Sequence, residues 1–312
     1  MTDRVMVFAP APLLTVTVER QRDSVELHVH PGGQGIWQAR MIVSLGVDVT
    51  ICAAIGGEPG SIIGKLLAEE SIDLRAVVRK SGNGWYVHDR RGEQRQTVAE
   101  HPGAPLLRHE VDELYNVALA EGLRTPVSVL SGPAHPSVIA PDLYRRLTAD
   151  LTSNGGQVVA DLSSDHLSAA LAGGVTVVKV SHEEVIRDGR AADDSLDELV
   201  AAAYRLRDDG AGTVLISRAG EPALALIDDE VVEVRAPRLQ VADPHGAGDS
   251  MTAGVAAVLA RGGSLEEAVC TGAAAGALNV TRHGLGTGRM DAVQELMGRV
   301  RLAPLRRTGS TT

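Results

Sequence analysis

Aromatic side chains are scarce: Phe, Tyr and Trp together make up 2 % of the 312 residues, and Phe8 is the single Phe. Apolar residues still reach 44 %, so the core must be aliphatic, built from Ala, Val, Leu and Ile. Cysteine is limited to Cys52 and Cys270, too few for a disulfide framework or a Cys-based metal site. A basic excess is missing as well. The net charge of -10 excludes a general nucleic-acid binder, which would carry a basic stripe. An anionic small substrate stays open, because a local pocket can oppose the global charge. No apolar run approaches membrane-spanning length and no signal peptide precedes the first apolar segment, so the expectation is a cytoplasmic chain with no membrane partner. Catalytic loops of other classes are absent too. "EPGSIIGKLL" supplies Gly-Lys but has Pro59 and Leu66 where a P-loop needs Gly and Ser/Thr. No G-x-G-x-x-G follows the first strand, and no G-x-S-x-G elbow occurs.

What is present alternates strand and helix. Val5 to Ala9 is a short apolar run that reads as a buried strand. "QGIWQARMIVSLG" reads as a helix closed by Gly46, and "VDVTICAAIG" as a buried strand. "PVSVLSG", "QVVADLS", "VTVVKVS" and "GTVLIS" are further strands, separated by helical stretches such as "DDSLDELVAAAYRLRDDG". Beyond residue 246 the pattern is mostly helical. Strands separated by helices pair in parallel, which predicts a three-layer α/β/α fold with a mostly parallel sheet. In such folds ligands bind beyond the carboxyl ends of the strands. Two segments break the pattern. Residues 13–30 and 85–100 alternate with period two, predicting a small β lid inside a single domain of residues 1–302. Residues 303–312 read as a flexible tail.

Two Asp residues six apart enclose a Gly-rich turn in "DPHGAGDS", residues 243–250, just ahead of an Ala-rich helix. Small residues let the amides of Gly246, Ala247 and Gly248 converge at a helix N-terminus, where unpaired donors carry partial positive charge. Such a cluster binds phosphate. A carboxylate at its lip, Asp249, is suited to taking a proton from a hydroxyl that attacks a phosphoryl group. An ordinary helix N-cap is the alternative. Lysine occurs only at 65, 80 and 179, and Lys179 interrupts "VTVVKV". Either it meets an anion at a strand end or it lies exposed at an edge.

Several stretches carry a family resemblance. "GAGDSMTAG" (246–254) resembles the signature of ribokinase-like (PfkB) carbohydrate kinases, closest to the 1-phosphofructokinase and tagatose-6-phosphate kinase branch. "PGGQGIWQARMIVSLG" (31–46), "SGPAHP" (131–136), "DLSSDHLSAAL" (161–171), "VKVSHEE" (178–184) and "VLISRAGEPALAL" (214–226) are similar to its other motifs, in family order. The resemblance implies an ATP-dependent kinase acting on a hydroxyl of a sugar or sugar phosphate. Asp249 would be the general base, and Gly246, Ala247 and Gly248 the anion hole. Lys179 would approach the ATP phosphates, and Glu184 would help hold Mg²⁺ or be an ordinary first-turn acid. Ser217 and Gly220 would lie along the nucleotide, Asn279 near the adenine, and Asp243 would brace the loop. K⁺ dependence and a homodimer through the β lid are family carry-overs.

Departures from the family gather on the acceptor side, which Gly32, Gly33, Gln34, Trp37 and Trp85 would line. "APAPL" puts Ala9 and Leu13 where the family has Asn and Asp. Gln34 replaces Lys, Trp37 replaces Asn, and "GNGWYV" lacks the family's phosphate-binding Arg and places Trp85 at an Asn position. Val180 and Ser181 replace Pro and Asn near Lys179. The indoles either fill core or face a flatter, less polar acceptor. A nucleoside-like acceptor, or a non-catalytic nucleotide- or sugar-binding protein, therefore stands as the alternative. Arg90, Arg91 and Arg95 could restore anion binding from the lid or merely sit in a solvated turn.

Overall fold

The computed structural model describes residues 3–21, 24–70, 72–92, 96–282 and 286–305. In chain order the elements begin with β1 (Arg4–Phe8), β2 (Leu13–Gln21), β3 (Ser24–Gly32), α1 (Gln34–Ser44), β4 (Asp48–Gly56) and α2 (Gly57–Glu69). β5 (Asp73–Arg79), β6 (Asn83–Arg90), β7 (Gln96–Gly103), α3 (Arg108–Gly122), β8 (Val127–Ser131), α4 (Asp142–Ser153) and β9 (Gln157–Asp161) follow. Then come α5 (Ser164–Ala172), β10 (Val175–Ser181), α6 (His182–Arg187), α7 (Leu196–Asp208), β11 (Ala211–Arg218), β12 (Glu221–Ile227) and β13 (Glu230–Arg235). The chain closes with α8 (Ala247–Ala260), α9 (Leu265–Asn279), α10 (Met290–Met297) and β14 (Arg301–Pro304).

Ten strands form one sheet in the order β14-β13-β12-β11-β10-β9-β8-β1-β4-β5. The seven from β11 to β5 run parallel, and β12, β13 and β14 add an antiparallel edge. Period-two alternation persists even in fully buried strands. In β1, Val5 and Val7 enter the core beneath α1, α8 and α9, while Met6 and Phe8 enter the core beneath α3, α4, α5 and α7. Two apolar cores on opposite sheet faces make three layers. With so few rings available, the second core centres its ring contacts on Tyr144, which packs edge-to-face on Phe8, centroids 5.5 Å apart, and on the buried His166 at 5.2 Å.

Helix α8 is buried along its length from Asp249 to Ala260, as its all-round apolar composition requires. It can lie so close to α9 because Gly254 and Gly272 face each other, where any Cβ would strike the opposing backbone.

The remaining strands form a second sheet, β3-β2-β6-β7. Residues 13–32 and 83–103 thus build the small β unit expected from the sequence. Asn83 ties its root to the body: the side-chain amide donates to Pro12 O and Ala54 O, both at 3.0 Å, and its Oδ1 accepts the Gly56 N–H at 2.7 Å.

Two sequence readings change. The segment 57–69, notable only as a failed P-loop, is helix α2. Ala303 and Pro304, assigned to the tail, pair with Glu233 and Val232 as part of β14. Residues 306–312 of that tail lie outside the described residues, as does Arg95. No helix among the described residues is long and apolar enough to cross a membrane.

Candidate active site

Register places three polar residues side by side at the carboxyl ends of neighbouring strands. Ser131 of β8 lies opposite Asp161 of β9, and Asp161 lies opposite Lys179 of β10. Asp161 and Lys179 share strand parity with Val159 and Val177, so both point to the sheet face covered by α1 and α8. Lys179 Nζ sits 3.3 Å from Asp161 Oδ1. Their side chains are 7 % and 1 % exposed, which makes this a buried ion pair rather than an edge lysine.

Helix α1 brings Gln34 and Gln38, one turn apart on the same face. Gln38 Nε2 donates to Asp161 Oδ2 at 3.0 Å and lies 3.5 Å from Asp249 Oδ1, while its Oε1 accepts from Ser131 Oγ at 2.5 Å. Gln34 Oε1 accepts the Gly132 N–H at 2.9 Å, and its side chain also bonds to Asp249. From α8, Thr252 Oγ1 donates to Asp161 Oδ2 at 2.7 Å.

The glycine turn opens α8. Gly246 is the N-cap with φ 74°, a left-handed conformation that favours glycine, and no side chain caps the helix. The first-turn amides after it have no intrahelical acceptor and remain donors for something else. A Cβ at Gly248 would meet Lys179 Nζ, so any side chain there would have to displace the ammonium. The ammonium therefore lies against the helix N-terminus, two positive features together, offset by Asp161 and by Asp249 in the same helical turn.

Behind the turn, Ala242 and Asp243 amides donate to Val280 O at 2.7 and 3.1 Å. Asp243 Oδ1 accepts from the His245 amide at 3.0 Å and its imidazole at 2.6 Å, and Asp243 Oδ2 accepts from Arg90 at 2.7 Å. Burial pushes the Asp243 carboxyl up, but the bonds from His245 and Arg90 outweigh it and hold it below the usual carboxylate range. Asn279, fully buried, donates to His245 O at 2.7 Å and accepts the Gly286 N–H at 3.2 Å. Its amide thus links the loop before α8 to the segment at Gly286. Ser217 and Gly220 stand at the end of β11 and in the turn that follows, with open space around Gly220. Glu184 forms a capping box with Ser181, its Oε2 accepting the Ser181 N–H at 2.8 Å.

On the acceptor side, Gly33 caps α1 at φ 105°, and Gly32 packs against Thr15. Trp37 lies on α1 with its backbone against Gly286 and its buried Nε1 unbonded among the described residues. Trp85 stands in register with the buried Leu14, stacks on His101 with centroids 6.2 Å apart, and packs on the aliphatic core. Leu13 and Thr15 occupy the opposite face of that sheet. Trp85 therefore fills the junction between small sheet and body, the core-filling option of its two readings. Arg91, just past the end of β6, is taken by Asp89 of that strand.

Comparison with known proteins decides the family. The profile described as "pfkB family carbohydrate kinase" matches residues 9–292, nearly the whole chain. The chain belongs to the pfkB family of carbohydrate kinases. It is 32 % identical over 259 residues to ATP-dependent 6-phosphofructokinase isozyme 2 of Escherichia coli K12, covering 81 % of this chain and 82 % of that one. It is 26 % identical over 276 residues to 1-phosphofructokinase of Bacillus subtilis, covering 88 % and 89 %. The crystal structure of phosphofructokinase-2 from E. coli in complex with fructose-6-phosphate superposes with a TM-score of 0.80 at 26 % identity, covering 96 % of this chain and 99 % of that one. The kinase is thus a phosphotransferase with an alcohol group as acceptor.

Sequence motifs named one half of this kinase's polar centre and missed the other. Asp161 was quoted inside "DLSSDHLSAAL" without a role, and Gln38, Ser131 and Thr252 were passed over. A signal existed. Asp161 and Ser131 end apolar strand runs at the edge where ligands bind, and Gln38 recurs four residues after Gln34 on one helical face.

The charges at this centre push Asp249 upward. Burial raises its carboxyl and the neighbouring Asp161 charge raises it further; Lys179 and Gln34 oppose and Glu184 adds, leaving it pushed up to about 7. For Lys179 burial acts downward, but Asp161, Asp249 and Glu184 outweigh it and hold the ammonium above its usual value. Lys179 therefore stays charged across the physiological range.

Proposed function

We propose that this kinase transfers the γ-phosphoryl group of ATP to a hydroxyl of a sugar or sugar phosphate. One observation carries the reading: Asp249, a carboxyl pushed up to about 7, stands in the first turn of a helix whose N-terminal amides carry no side-chain cap and lie beside Lys179, donors of the kind that bind phosphate. Asp249 accepts the proton of the acceptor hydroxyl as that oxygen attacks the γ-phosphorus. The bond from the γ-phosphorus to the bridging oxygen breaks and ADP leaves. Amides of Gly246, Ala247 and Gly248 meet the charge on the transferred group, Lys179 holds the phosphate chain, and Ser217 and Gly220 lie along the nucleotide. Closure of the small sheet excludes water and limits wasteful hydrolysis of ATP.

Mg²⁺ is normally held by one or two carboxylates plus substrate phosphates and water. Asp161 and Glu184 supply hard oxygen donors around Lys179, and no cluster of three or more ligating side chains occurs among the described residues. That set fits an ion brought in on the nucleotide, which when bound neutralises phosphate charge. The names of the relatives support a phosphorylated acceptor. Leu13, buried where the family has Asp, favours a less polar one, so nucleosides belong beside sugars in the test.

The test is ADP formation with Mg-ATP and a panel of sugars, sugar phosphates and nucleosides, with K⁺ and Na⁺ exchanged. One acceptor should stimulate ADP release, and a panel without any stimulation counts for the non-catalytic alternative. For the productive acceptor, kcat/KM should fall about tenfold per pH unit below about 7 and level off above it, because only ionised Asp249 can take the proton. A flat profile from pH 5.5 to 8 removes Asp249 from the proton transfer.

The active form is proposed to be a cytoplasmic homodimer joined through the small sheet. Val25, Leu27 and Val29 leave an apolar stripe on β3, an edge strand of that sheet, with Leu27 64 % exposed. Leu27→Asp should convert a dimer to a monomer in sedimentation equilibrium. An unchanged mass places the interface elsewhere.

A further inference from the structure

Arg90 ends β6, the strand of the small sheet that carries Trp85, yet its guanidinium reaches the loop of the body that precedes α8. It donates to Asp243 Oδ2 at 2.7 Å, a contact between residues 153 apart in sequence. The carboxylate it meets is not a mobile surface group. Asp243 has a side chain 6 % exposed, with its other oxygen taken by the His245 amide and imidazole and its own amide bonded to Val280 O. Surface ion pairs contribute little because two flexible chains must be ordered. Here one partner is already fixed and buried, and Arg90 itself is only 27 % exposed.

Asp243 precedes the N-cap Gly246 by three residues. Val280 and Asn279 hold this loop from behind through Ala242, Asp243 and His245. Arg90 is its partner from the side of the small sheet. A movement of the sheet away from the body must therefore break the Arg90 bond or drag the loop that sets the Gly246–Gly248 amides. Displacements near 1 Å in such a constellation cost rate steeply.

The geometry points to Arg90 as a positioning residue: a tether that couples closure of the small sheet to the placement of the amide cluster opening α8. Sheet closure and amide geometry then form one two-state element, and a ligand that favours the closed sheet also favours the aligned loop. The kinetic part of this inference rests on the phosphoryl-transfer reading above; the mechanical part stands on the contact alone.

Hydrogen exchange separates the two. The full chain is compared with Arg90→Gln, Arg90→Lys and the control Arg91→Gln, because Arg91 pairs with Asp89 locally at the end of the same strand. In Arg90→Gln, amides of β2, β3 and β6 and those of residues 242–248 should exchange roughly tenfold faster, the scale of one charge-assisted hydrogen bond lost. Arg90→Lys should recover much of that protection, and Arg91→Gln should leave it unchanged. With a productive acceptor in hand, Arg90→Gln should raise acceptor KM and the rate of ATP hydrolysis without acceptor, more than it lowers kcat. Unchanged exchange in Arg90→Gln, or equal loosening in Arg91→Gln, overturns the tether. Loosening with unaltered KM and unaltered ATP leakage overturns its positioning role. If no acceptor is ever found, the exchange result still decides whether sheet and loop are linked.

Discussion

Asp249→Asn lowers phosphoryl transfer by roughly 10²–10⁴-fold and, at neutral pH, makes the protein more stable. The first effect follows from removing the only proposed proton acceptor while leaving the amides and Lys179 in place, so ATP binding should change little. The second follows from the same carboxyl's environment. Its folded value of about 7 lies above the ordinary carboxylate value of about 3.9 expected in the unfolded chain. The folded state therefore binds the proton more tightly, and keeping the group ionised destabilises the fold above pH 7. That cost fades as pH falls from 7 towards 4. An uncharged amide escapes it, and Gln34 and Gln38 can still bond to it. We expect a gain of ~1–2 kcal/mol near pH 8, or about 2–4 °C in Tm for a chain of this size, shrinking towards pH 5. Calorimetry of both proteins at the two pH values checks it. A variant less stable than wild type at pH 8 would mean that the carboxylate is an ordinary structural cap.

Lys179→Met should do the opposite, losing both stability and activity. A single ammonium faces Asp161, Asp249 and Glu184 in a buried setting. Removing one member of a buried pair leaves uncompensated charge and costs about 3–5 kcal/mol. The remaining carboxylates then repel, Asp249 moves above about 7, and residual activity should shift to higher pH. Because protonation relieves the repulsion, the stability deficit should be larger at pH 8 than at pH 5.5. Denaturant titrations at the two values measure the difference. A uniform deficit would argue that the lysine stem's packing, rather than its charge, matters.

The parallel sheet was legible in the sequence because buried strands and amphipathic helices differ in period: "PVSVLSG", "QVVADLS" and "VTVVKVS" needed no partner information. The glycine turn was legible because it is local backbone: Gly246 caps α8, and Ala247 and Gly248 begin it. The antiparallel edge was not. Strand β14 is four residues long and pairs with β13 across 66 positions of chain, a register that no local pattern encodes. Asp161 escaped for a related reason. An acid at a strand end becomes part of a site only when neighbouring strands bring Ser131 and Lys179 beside it and helix α8 lowers Thr252 onto it. The directions of the Asn279 and Trp85 side chains were not legible, because motif position indicates proximity to a site but not where a side chain turns. The Asn279 amide turns to two backbone groups, and the Trp85 indole shares the face of Leu14.

A crystal structure with Mg²⁺ and a non-hydrolysable ATP analogue tests the central assignment most directly, since it needs no knowledge of the acceptor. The expected density puts the terminal phosphate within hydrogen-bonding distance of the amides of residues 246–248 and of Lys179 Nζ, with a carboxylate oxygen of Asp249 facing its open side. A terminal phosphate bound elsewhere, or Asp249 screened from it by protein, contradicts the assignment.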